Sequence, residues 1–261
     1  MIIMAARRNR TFVTAAALAG ALVGMVGLTG CGSSDVDAAP VERKTFAFSG
    51  ESLAVDADNS QLTIVAADVK DVQVSRQVDG WVFMGEGPES SWKLEGGKLT
   101  LRTDCTGIAS NCDARHEVKV PRGVAVSVED DNGSVTADGF TTALKLKSDN
   151  GEVTVRNSFG PLELTSNNGS VLVERSGSRS VIAHSDNGEV RLKLTAVPDR
   201  VETTSDNGRV DIELPGKGVA YAVNAKSDNG EVDVDVPTDK GSAHVVTARS
   251  DNGEVSVRTA N

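Results

Sequence analysis

Aromatic residues, cysteines and helix signals are scarce in this sequence. Phe, Trp and Tyr make up 3% of the 261 residues, so Val, Leu, Ile and Ala must fill any core. After the first 30 residues we find no convincing amphipathic helical pattern, whereas Thr and Val are abundant and alternate with other residues. These features indicate an all-β protein.

Motifs for catalysis or ligand binding are also missing. No Gly-x-Ser-x-Gly elbow is present, and the glycines lack the spacing of a phosphate-binding loop. His116, His184 and His244 are isolated and lie in no recognisable motif. We therefore predict no catalytic residues, no metal site and no cofactor, and we expect that the protein is not an enzyme.

The sequence has no basic cluster. If residues 1–30 are removed, Arg7, Arg8 and Arg10 are lost, which leaves 24 of the 27 basic residues against 37 acidic ones, a net charge of −13. Such a surface should avoid nucleic acid and anionic lipid headgroups. Nucleic acid is therefore excluded as an expected partner.

The N-terminus has the layout of an export signal. The three arginines precede TFVTAAALAGALVGMVG (residues 11–27), an uncharged run that is a little shorter than the about 20 residues of a membrane-spanning helix. The next four residues, Leu-Thr-Gly-Cys, resemble the lipobox of bacterial lipoproteins. This resemblance implies cleavage before Cys31 and a lipid on its thiol. The alternative is an ordinary secreted protein, and the export route, Sec or twin-arginine, is open.

The segment after the signal is short and polar. Residues 32–40, GSSDVDAAP, are small, polar and end in proline, so we expect a flexible tether over residues 31–44, including the lipidated Cys31. Nine residues reach at most about 30 Å. The sequence therefore predicts a protein anchored by lipid to the extracytoplasmic face of the cell membrane.

Two cysteines remain in the exported part. Cys105 and Cys112 are seven residues apart, and outside the cytoplasm such an even pair most simply forms a disulfide. Two cysteines cannot supply the four ligands of a structural zinc site. We therefore predict a small loop closed by this disulfide.

An Asn-Gly dipeptide recurs through the second half of the chain, in steps of 18, 18, 19, 20, 22 and 23 residues. A period of this size is typical of solenoids and related arrays. The seven predicted repeat corners are Asn132-Gly133, Asn150-Gly151, Asn168-Gly169, Asn187-Gly188, Asn207-Gly208, Asn229-Gly230 and Asn252-Gly253.

Two architectures fit a strand on each side of every Asn-Gly. In a β-meander, each dipeptide would be a hairpin turn, and it would place Asp149 opposite Glu152, a like-charge pair that destabilises a sheet. A β-solenoid avoids this pairing and lets the Asn side chains stack. We therefore predict a single-stranded β-solenoid (β-helix) of short parallel strands, two per coil and by default right-handed.

The strand alternation predicts which side chains face the core. Val155 and Val210 are expected to point inward, with Thr154 and Asp211 pointing outward. Residues 45–120 contain one degenerate repeat and are predicted to form an N-terminal β cap or subdomain, followed by the solenoid of seven repeats over residues 121–261. The last coil, ending in EVSVRTAN, is expected to leave an open edge.

The position before each corner Asn forms a column that is mostly Asp. Turn chemistry explains such a column because Asp favours tight corners, and a row of calcium sites is the alternative. The calcium-binding nonapeptide pattern is absent, so turn chemistry is preferred. The column consists of Asp131, Asp149, Asn167, Asp186, Asp206, Asp228 and Asp251.

The repeat units KSDNGEVTV, HSDNGEVRL, TSDNGRVDI, KSDNGEVDV and RSDNGEVSV resemble those of a bacterial family of β-strand-repeat proteins, described as adhesin-like domains of unknown function. The resemblance covers roughly residues 45–261. It implies a β-solenoid fold and a role in adhesion, and it carries no catalytic residues to transfer.

Two classes of function follow. The preferred one is a lipid-anchored envelope protein with a binding or structural role and an unknown surface ligand. The alternative is a β-helical carbohydrate-active enzyme acting on a surface polysaccharide, which should line a groove with aromatic residues. The array holds only Phe140, Phe159 and Tyr221, so the binding role is preferred.

The lipobox makes a direct prediction. Changing Cys31→Ser removes the acceptor thiol, so the full chain should lose lipid labelling and move from the detergent phase to the aqueous phase on detergent partition. A Ser33→Ala control should partition as the unchanged protein does. Unchanged lipid labelling of the Cys31→Ser variant would contradict the lipobox assignment.

Overall fold

The computed structural model describes residues 36–216 and 218–260, so Cys31 lies outside the described residues. These ranges fold into 19 strands, with no helix among them that is long and apolar enough to cross a membrane. The strands are β1 (Glu42–Phe46), β2 (Ser52–Ala57), β3 (Gln61–Ala67), β4 (Val72–Glu95), β5 (Lys98–Pro121), β6 (Ala125–Asp130), β7 (Val135–Asp138), β8 (Leu144–Ser148), β9 (Val153–Arg156), β10 (Leu162–Ser166), β11 (Val171–Ser176), β12 (Ser180–Ser185), β13 (Val190–Leu194), β14 (Arg200–Ser205), β15 (Val210–Leu214), β16 (Ala222–Ser227), β17 (Val232–Asp235), β18 (Val245–Ser250) and β19 (Val255–Thr259).

Most strands belong to two-stranded coils that stack in parallel. Each even-numbered strand from β6 to β18 and the strand that follows it make one coil, and β2 with β3 make the first. Within the array, each strand pairs with the equivalent strand of a neighbouring coil, as in Leu162↔Leu144 and Val171↔Val153. The prediction of a parallel β-solenoid with two strands per coil is confirmed. We call the eight units coils 1 to 8 in chain order.

Aliphatic side chains fill the inside of every central coil. Val155 and Val210 are fully buried, as predicted. Thr154 and Asp211 lie on the outer face, as predicted, but they are not solvated there, since their exposed fractions are 1% and 4%. Both are covered by neighbours on the outer face: the Thr154 hydroxyl bonds to Glu152 at 2.7 Å, and Arg258 lies 2.8 Å from the Asp211 carboxylate.

The Asn side chains form a continuous ladder along one corner of the solenoid. Each amide Nδ2 donates to the Oδ1 of the Asn in the neighbouring coil, at 2.9 Å for Asn150 to Asn132. The ladder includes the degenerate first repeat, where Asn132 donates to Asn59 at 3.1 Å. It runs through Asn59, Asn132, Asn150, Asn168, Asn187, Asn207, Asn252 and Asn229.

The corner glycines are required by close stacking. None of the seven has φ in the left-handed region, so the hairpin-turn explanation does not apply. A Cβ at Gly151 would lie 2.0 Å from the carbonyl oxygen of Gly133, and one at Gly188 would lie 2.3 Å from that of Gly169. Any side chain there would push adjacent coils apart.

A buried serine column completes the corner. In coil 3 the Ser148 hydroxyl donates to the carbonyl oxygen of Gly133 in the neighbouring coil at 2.9 Å. The same bond recurs in five further coils, from Ser166, Ser185, Ser205, Ser250 and Ser227. Each Ser-Asp-Asn-Gly corner therefore satisfies buried polar groups of its neighbour as well as its own.

The N-terminal end is closed by a long antiparallel hairpin. β4 and β5 pair along their length, and β5 also runs parallel to β2 at residues 98–101 and to β3 at residues 115–121. β1 pairs antiparallel with β4. Lys44 and Arg76 lie over the Trp92 ring, 5.9 and 4.1 Å from its centroid, which helps to cover this end.

We expected a flexible tether over residues 31–44, but its described part, residues 36–44, is held in place. The Gln77 amide donates to the carbonyl oxygens of Val36 at 3.1 Å and Ala39 at 3.0 Å, and Arg115 forms an ion pair with Asp37. Strand β1 then begins at Glu42. Residues 36–44 are therefore held against β4 and β5, because their backbone groups have side-chain partners there.

The last three coils do not stack in chain order. β18 pairs with β14 on one side and with β16 on the other, and β19 likewise lies between β15 and β17. Coil 8 is thus inserted between coil 6 and coil 7. The Asn ladder follows the same order, since Asn252 donates to Asn207 and Asn229 donates to Asn252.

Charge on the outer face explains this order. Arg258 of coil 8 lies 2.8 Å from Glu213 and 2.8 Å from Asp211, both of coil 6, and it is paired in register with Asp235 of coil 7. Stacking in chain order would instead place Asp233 beside Asp211 and Asp235 beside Glu213. Like charges directly opposite each other destabilise a sheet, so the inserted coil separates two acidic ones.

The open edge is therefore formed by coil 7. We expected it at the final coil of the chain, and that expectation is wrong because β19 is paired on both sides. In coil 7, Val232 and Val234 are exposed by 45% and 38%. These are the outermost strands of the stack in the described part of the chain.

The stacking order can be tested by crosslinking. Glu202 and Thr247 are register partners on β14 and β18, so cysteines at both positions lie about 4.8 Å apart and should form a disulfide in a Cys31→Ser background. The matched pair at Glu202 and Asn224 is two strands apart, about 9.6 Å, and should stay reduced. Crosslinking of the second pair instead of the first, measured by mass spectrometry, would show that the coils stack in chain order.

Candidate functional site

The predicted corner residues serve the stacking of coils. The Asn side chains bond and the corner glycines pack between neighbouring coils, so the recurrence of both residues from repeat to repeat is explained without a ligand. Cys105 and Cys112 are joined by a disulfide, with their Cα atoms 6.5 Å apart. Cys31 lies outside the described residues.

Four members of the Asp column pair with a basic side chain two positions before them: Asp149, Asp186, Asp228 and Asp251. Asp149 lies 2.9 Å from the Lys147 ammonium, and Asp186 lies 2.7 Å from the His184 ring. Asp228 pairs with Lys226 two positions before it, as the other two do. Hydrogen bonding to Lys226 lowers the pKa of the Asp228 carboxyl. Among the described residues no group of three or more His, Cys, Asp or Glu side chains is placed to hold a metal ion.

One position of the buried serine column is an aspartate. Asp130 pairs in register with Ser148, is 2% exposed and accepts a bond from the backbone N–H of Asn132 at 3.1 Å. Its Oδ2 has no hydrogen-bond partner. Burial raises the pKa of the Asp130 carboxyl to about 7. The carboxyl is therefore partly protonated at neutral pH.

A second buried titratable group lies at the N-terminal end. The His116 ring is 1% exposed, neither ring nitrogen has a hydrogen-bond partner, and burial with the nearby Arg76 charge lowers its pKa to about 4. His116 points into the core beside Leu62, its register partner. A neutral ring enclosed in this way is a packing residue.

A ribbon projects from the N-terminal end at the Asn corner. Coil 1 turns this corner with residues 58–60, whereas β5 uses residues 102–114 between its two pairings with coil 1. These residues pair with residues 78–91 of β4 and form the two-stranded ribbon. The Cys105–Cys112 disulfide joins the outgoing and returning parts of β5.

The end of the ribbon carries large apolar side chains in solvent. Phe83, Met84 and Ile108 are exposed by 56%, 71% and 76% and lie close together, since Phe83 is paired with Ala109. We call these three residues the ribbon tip. Single exposed apolar residues are ordinary, and it is the grouping of three on one projecting element that makes the ribbon tip a candidate interaction site.

A shallow groove crosses the outside of the first strands of coils 1 to 5. It runs from Gly97 in the β4–β5 turn to Ile182 on β12, and its floor is made of small residues such as Ala54 and Ser127. One carboxylate lines the groove, that of Glu163, and Lys145 pairs with it at 2.5 Å. The groove is thus mostly apolar, with a neutralised ion pair.

We did not predict the ribbon tip from the sequence. A usable signal was present, because Trp81, Phe83 and Trp92 fall within 12 residues of a chain with nine aromatic residues. The alternation of β4 does not show which of these side chains is buried, since the ribbon leaves the stack and loses its core-facing side. Its exposure depends on where β5 departs from coil 1.

The chain shows one family match. The profile described as Toastrack DUF4097 matches residues 93–261, more than half of the sequence. No curated protein matches the chain.

Several solved structures are similar to the chain. One is a proposed cell adhesion protein from Clostridium sporogenes, with 11% identity, a TM-score of 0.38, and coverage of 85% of this chain and 100% of that chain. Another is a proposed adhesin from Parabacteroides distasonis, with 11% identity, a TM-score of 0.45, and coverage of 85% and 98%. A proposed adhesin from Bacteroides fragilis has 12% identity, a TM-score of 0.36, and coverage of 85% and 97%.

The buried carboxyl predicts a pH effect on stability. The folded-state pKa of Asp130 is raised to about 7 from 3.8, so its contribution to stability is present below pH 4 and is lost as pH rises through 7. Asp130→Ser restores the serine column and should raise the free energy of unfolding at pH 7 by about 1–3 kcal/mol. The gain should shrink toward pH 4.

Denaturant titrations from pH 4 to 8 measure this effect. His116 acts with the opposite sign, since its lowered pKa costs stability as pH falls from 6.5 toward 4. As the pH rises from 4 to 6.5, the free energy of unfolding of the Asp130→Ser variant should therefore increase more steeply than that of the unchanged chain. Glu129→Ser, at the exposed acid on the other side of Asp130, is the control and should show no such change; equal curves for the two variants would contradict the assignment.

Proposed function

The chain belongs to the Toastrack DUF4097 family, and on this premise we propose that it is an extracytoplasmic lipoprotein whose solenoid is an adhesin-like binding or structural module of the cell envelope. Cys31 would carry the lipid, and the ligand would be a component of the envelope or of another surface. In this proposal the protein is not an enzyme.

The observation that carries the proposal is the ribbon tip. Aromatic residues and Met are enriched at the centres of protein interfaces, and Phe83 and Met84 supply both types on one projecting element. The Cys105–Cys112 disulfide restrains the ribbon. A restrained apolar tip loses less conformational entropy on binding than a free loop would. The tip therefore suits a contact site.

The position of the proposed anchor is compatible with this role. Gln77 and Arg115, at the base of the ribbon, hold Val36 and Asp37. The five residue-to-residue steps from Cys31 to Val36 span at most about 18 Å. A lipid on Cys31 would therefore keep the base of the ribbon close to the bilayer, where envelope components are concentrated.

The enzymatic alternative finds less support. Glycoside hydrolysis uses two carboxyl groups on either side of the scissile bond. The groove on the first strands of the coils has one, Glu163, which is paired with Lys145 at 2.5 Å. No second carboxylate among the described residues lines the groove to act with it.

Photo-crosslinking in intact cells tests the binding role. We would place p-benzoylphenylalanine at Met84 in the ribbon tip and, as a matched control, at Phe159, which is also exposed but lies away from the ribbon. The proposal predicts a discrete adduct from position 84, absent from position 159. Mass spectrometry of the adduct separates a protein, a glycan and a lipid.

Two outcomes would contradict the proposal in different ways. No adduct from position 84, or the same adducts from both positions, would remove the ribbon tip as the binding site. Adduct formation that persists while the Cys31→Ser chain partitions as the unchanged protein would retain the binding role and reject the lipid anchor.

A further inference from the structure

The open edge of coil 7 has the features of a site for an added strand. β16 pairs with β18 and β17 pairs with β19, and in the described residues no strand lies on the other side of either. The loop over residues 236–244 lies at the far corner, where Tyr221 bonds with Pro237 and Asp239, and its Thr238 and Lys240 line one cavity with Val234. Tyr221 is fully buried there, whereas Val232 and Val234 remain exposed.

Hydrogen-bonding groups of β17 point toward this edge. The carbonyl oxygen of Glu231 accepts a bond from the Val255 N–H of β19 at 2.9 Å. Successive residues of a strand direct their N–H and C=O groups to opposite sides. The backbone groups of Val232 and Val234 therefore face away from β19, toward the open edge.

The outer face next to this edge has an alternating order of charge. One outward position of the second strands changes sign from coil to coil, and register pairs such as Asp138↔Arg156, Lys193↔Glu213 and Glu213↔Arg258 connect its members. In spatial order the row is Asp138, Arg156, Glu174, Lys193, Glu213, Arg258 and Asp235. It ends on an acid, and the next member of the series would be basic.

The neighbouring positions on and just before β17 have the same sign. Asp233 precedes Asp235 on the outer face of β17, and Glu231 lies just before the strand. Two copies meeting through this edge about a two-fold axis would bring these acids together, which is unfavourable in a strand pair. The charges thus favour a strand of opposite sign over a second copy.

We propose that the open edge of coil 7 binds an extended segment of another protein by β-strand addition, and that this segment alternates apolar and basic side chains. Its backbone would bond with Val232 and Val234, its apolar side chains would cover these valines, and its basic side chains would lie beside Asp233 and Asp235. Main-chain bonds supply affinity in this mode, and alternate side chains supply specificity. The inference is independent of the ribbon tip and of the lipid anchor.

The test uses the full chain in detergent micelles and two fluorescent peptides. One peptide alternates Lys and Val over eight residues, and the other alternates Glu and Val. Fluorescence anisotropy should show saturable binding of the Lys peptide, with the Glu peptide at least about tenfold weaker. Asp233→Asn combined with Asp235→Asn should lower the affinity for the Lys peptide by about tenfold. The affinity for the Glu peptide should stay unchanged or increase.

Two variants separate strand addition from simple attraction to an acidic protein. Val234→Pro removes one N–H that faces the open edge, a change that an edge strand tolerates. It should lower the affinity for the Lys peptide by at least about tenfold. Val234→Ala keeps this N–H and should bind nearly as the unchanged chain does. Equal binding by the two variants would overturn the proposal.

A second measurement does not depend on the folding of a variant. Peptides N-methylated only at the Val residues, or only at the Lys residues, block opposite edges of the same strand. Strand addition predicts that one of them binds and the other does not. Equal binding of both would overturn the proposal, as would dimerisation of the unchanged chain in light scattering that Val234→Pro abolishes, since the edge would then bind a second copy.

Discussion

Close stacking of one corner on the next is the constraint on which the rest of the solenoid depends. A Cβ at Gly151 would lie 2.0 Å from the carbonyl oxygen of Gly133, so neighbouring coils touch through bare backbone. At that separation the Asn side chains bond along the stack, and the Ser148 hydroxyl reaches the same Gly133 oxygen at 2.9 Å. The same Ser-Asp-Asn-Gly corner therefore recurs, because its Ser and Asn side chains bond to the neighbouring coil and its Gly lets that coil approach.

Such a corner makes every coil a suitable neighbour for every other. Identical bonds join coil 6 to coil 8 and coil 8 to coil 7, although coil 7 directly follows coil 6 in the sequence. The choice among neighbours is left to the outer face. There Arg258 separates the acids of coil 6 from those of coil 7, and the longer connections before coils 7 and 8 allow the insertion.

The two ends of the stack differ in their chemistry, which gives the molecule a direction. The N-terminal end is closed by the β4–β5 hairpin and extends into the ribbon, whereas the other end leaves β16 and β17 with free edges. About eight strand spacings, roughly 40 Å, separate them.

Local sequence determined the coil itself. The alternation around Val155 and Val210, together with the spacing of Asn-Gly, was enough to predict a parallel solenoid, its Asn ladder and its inward valines, because these depend on periods of two and about twenty residues. Tertiary structure decided which outer-face side chains are exposed to solvent and which coils stack on each other. Thr154 and Asp211 are buried by side chains of other residues, coil 8 is placed by charges on two separate coils, and the ribbon is exposed because β5 leaves the stack. None of these follows from a repeat taken alone, since each depends on a neighbour that the period does not identify.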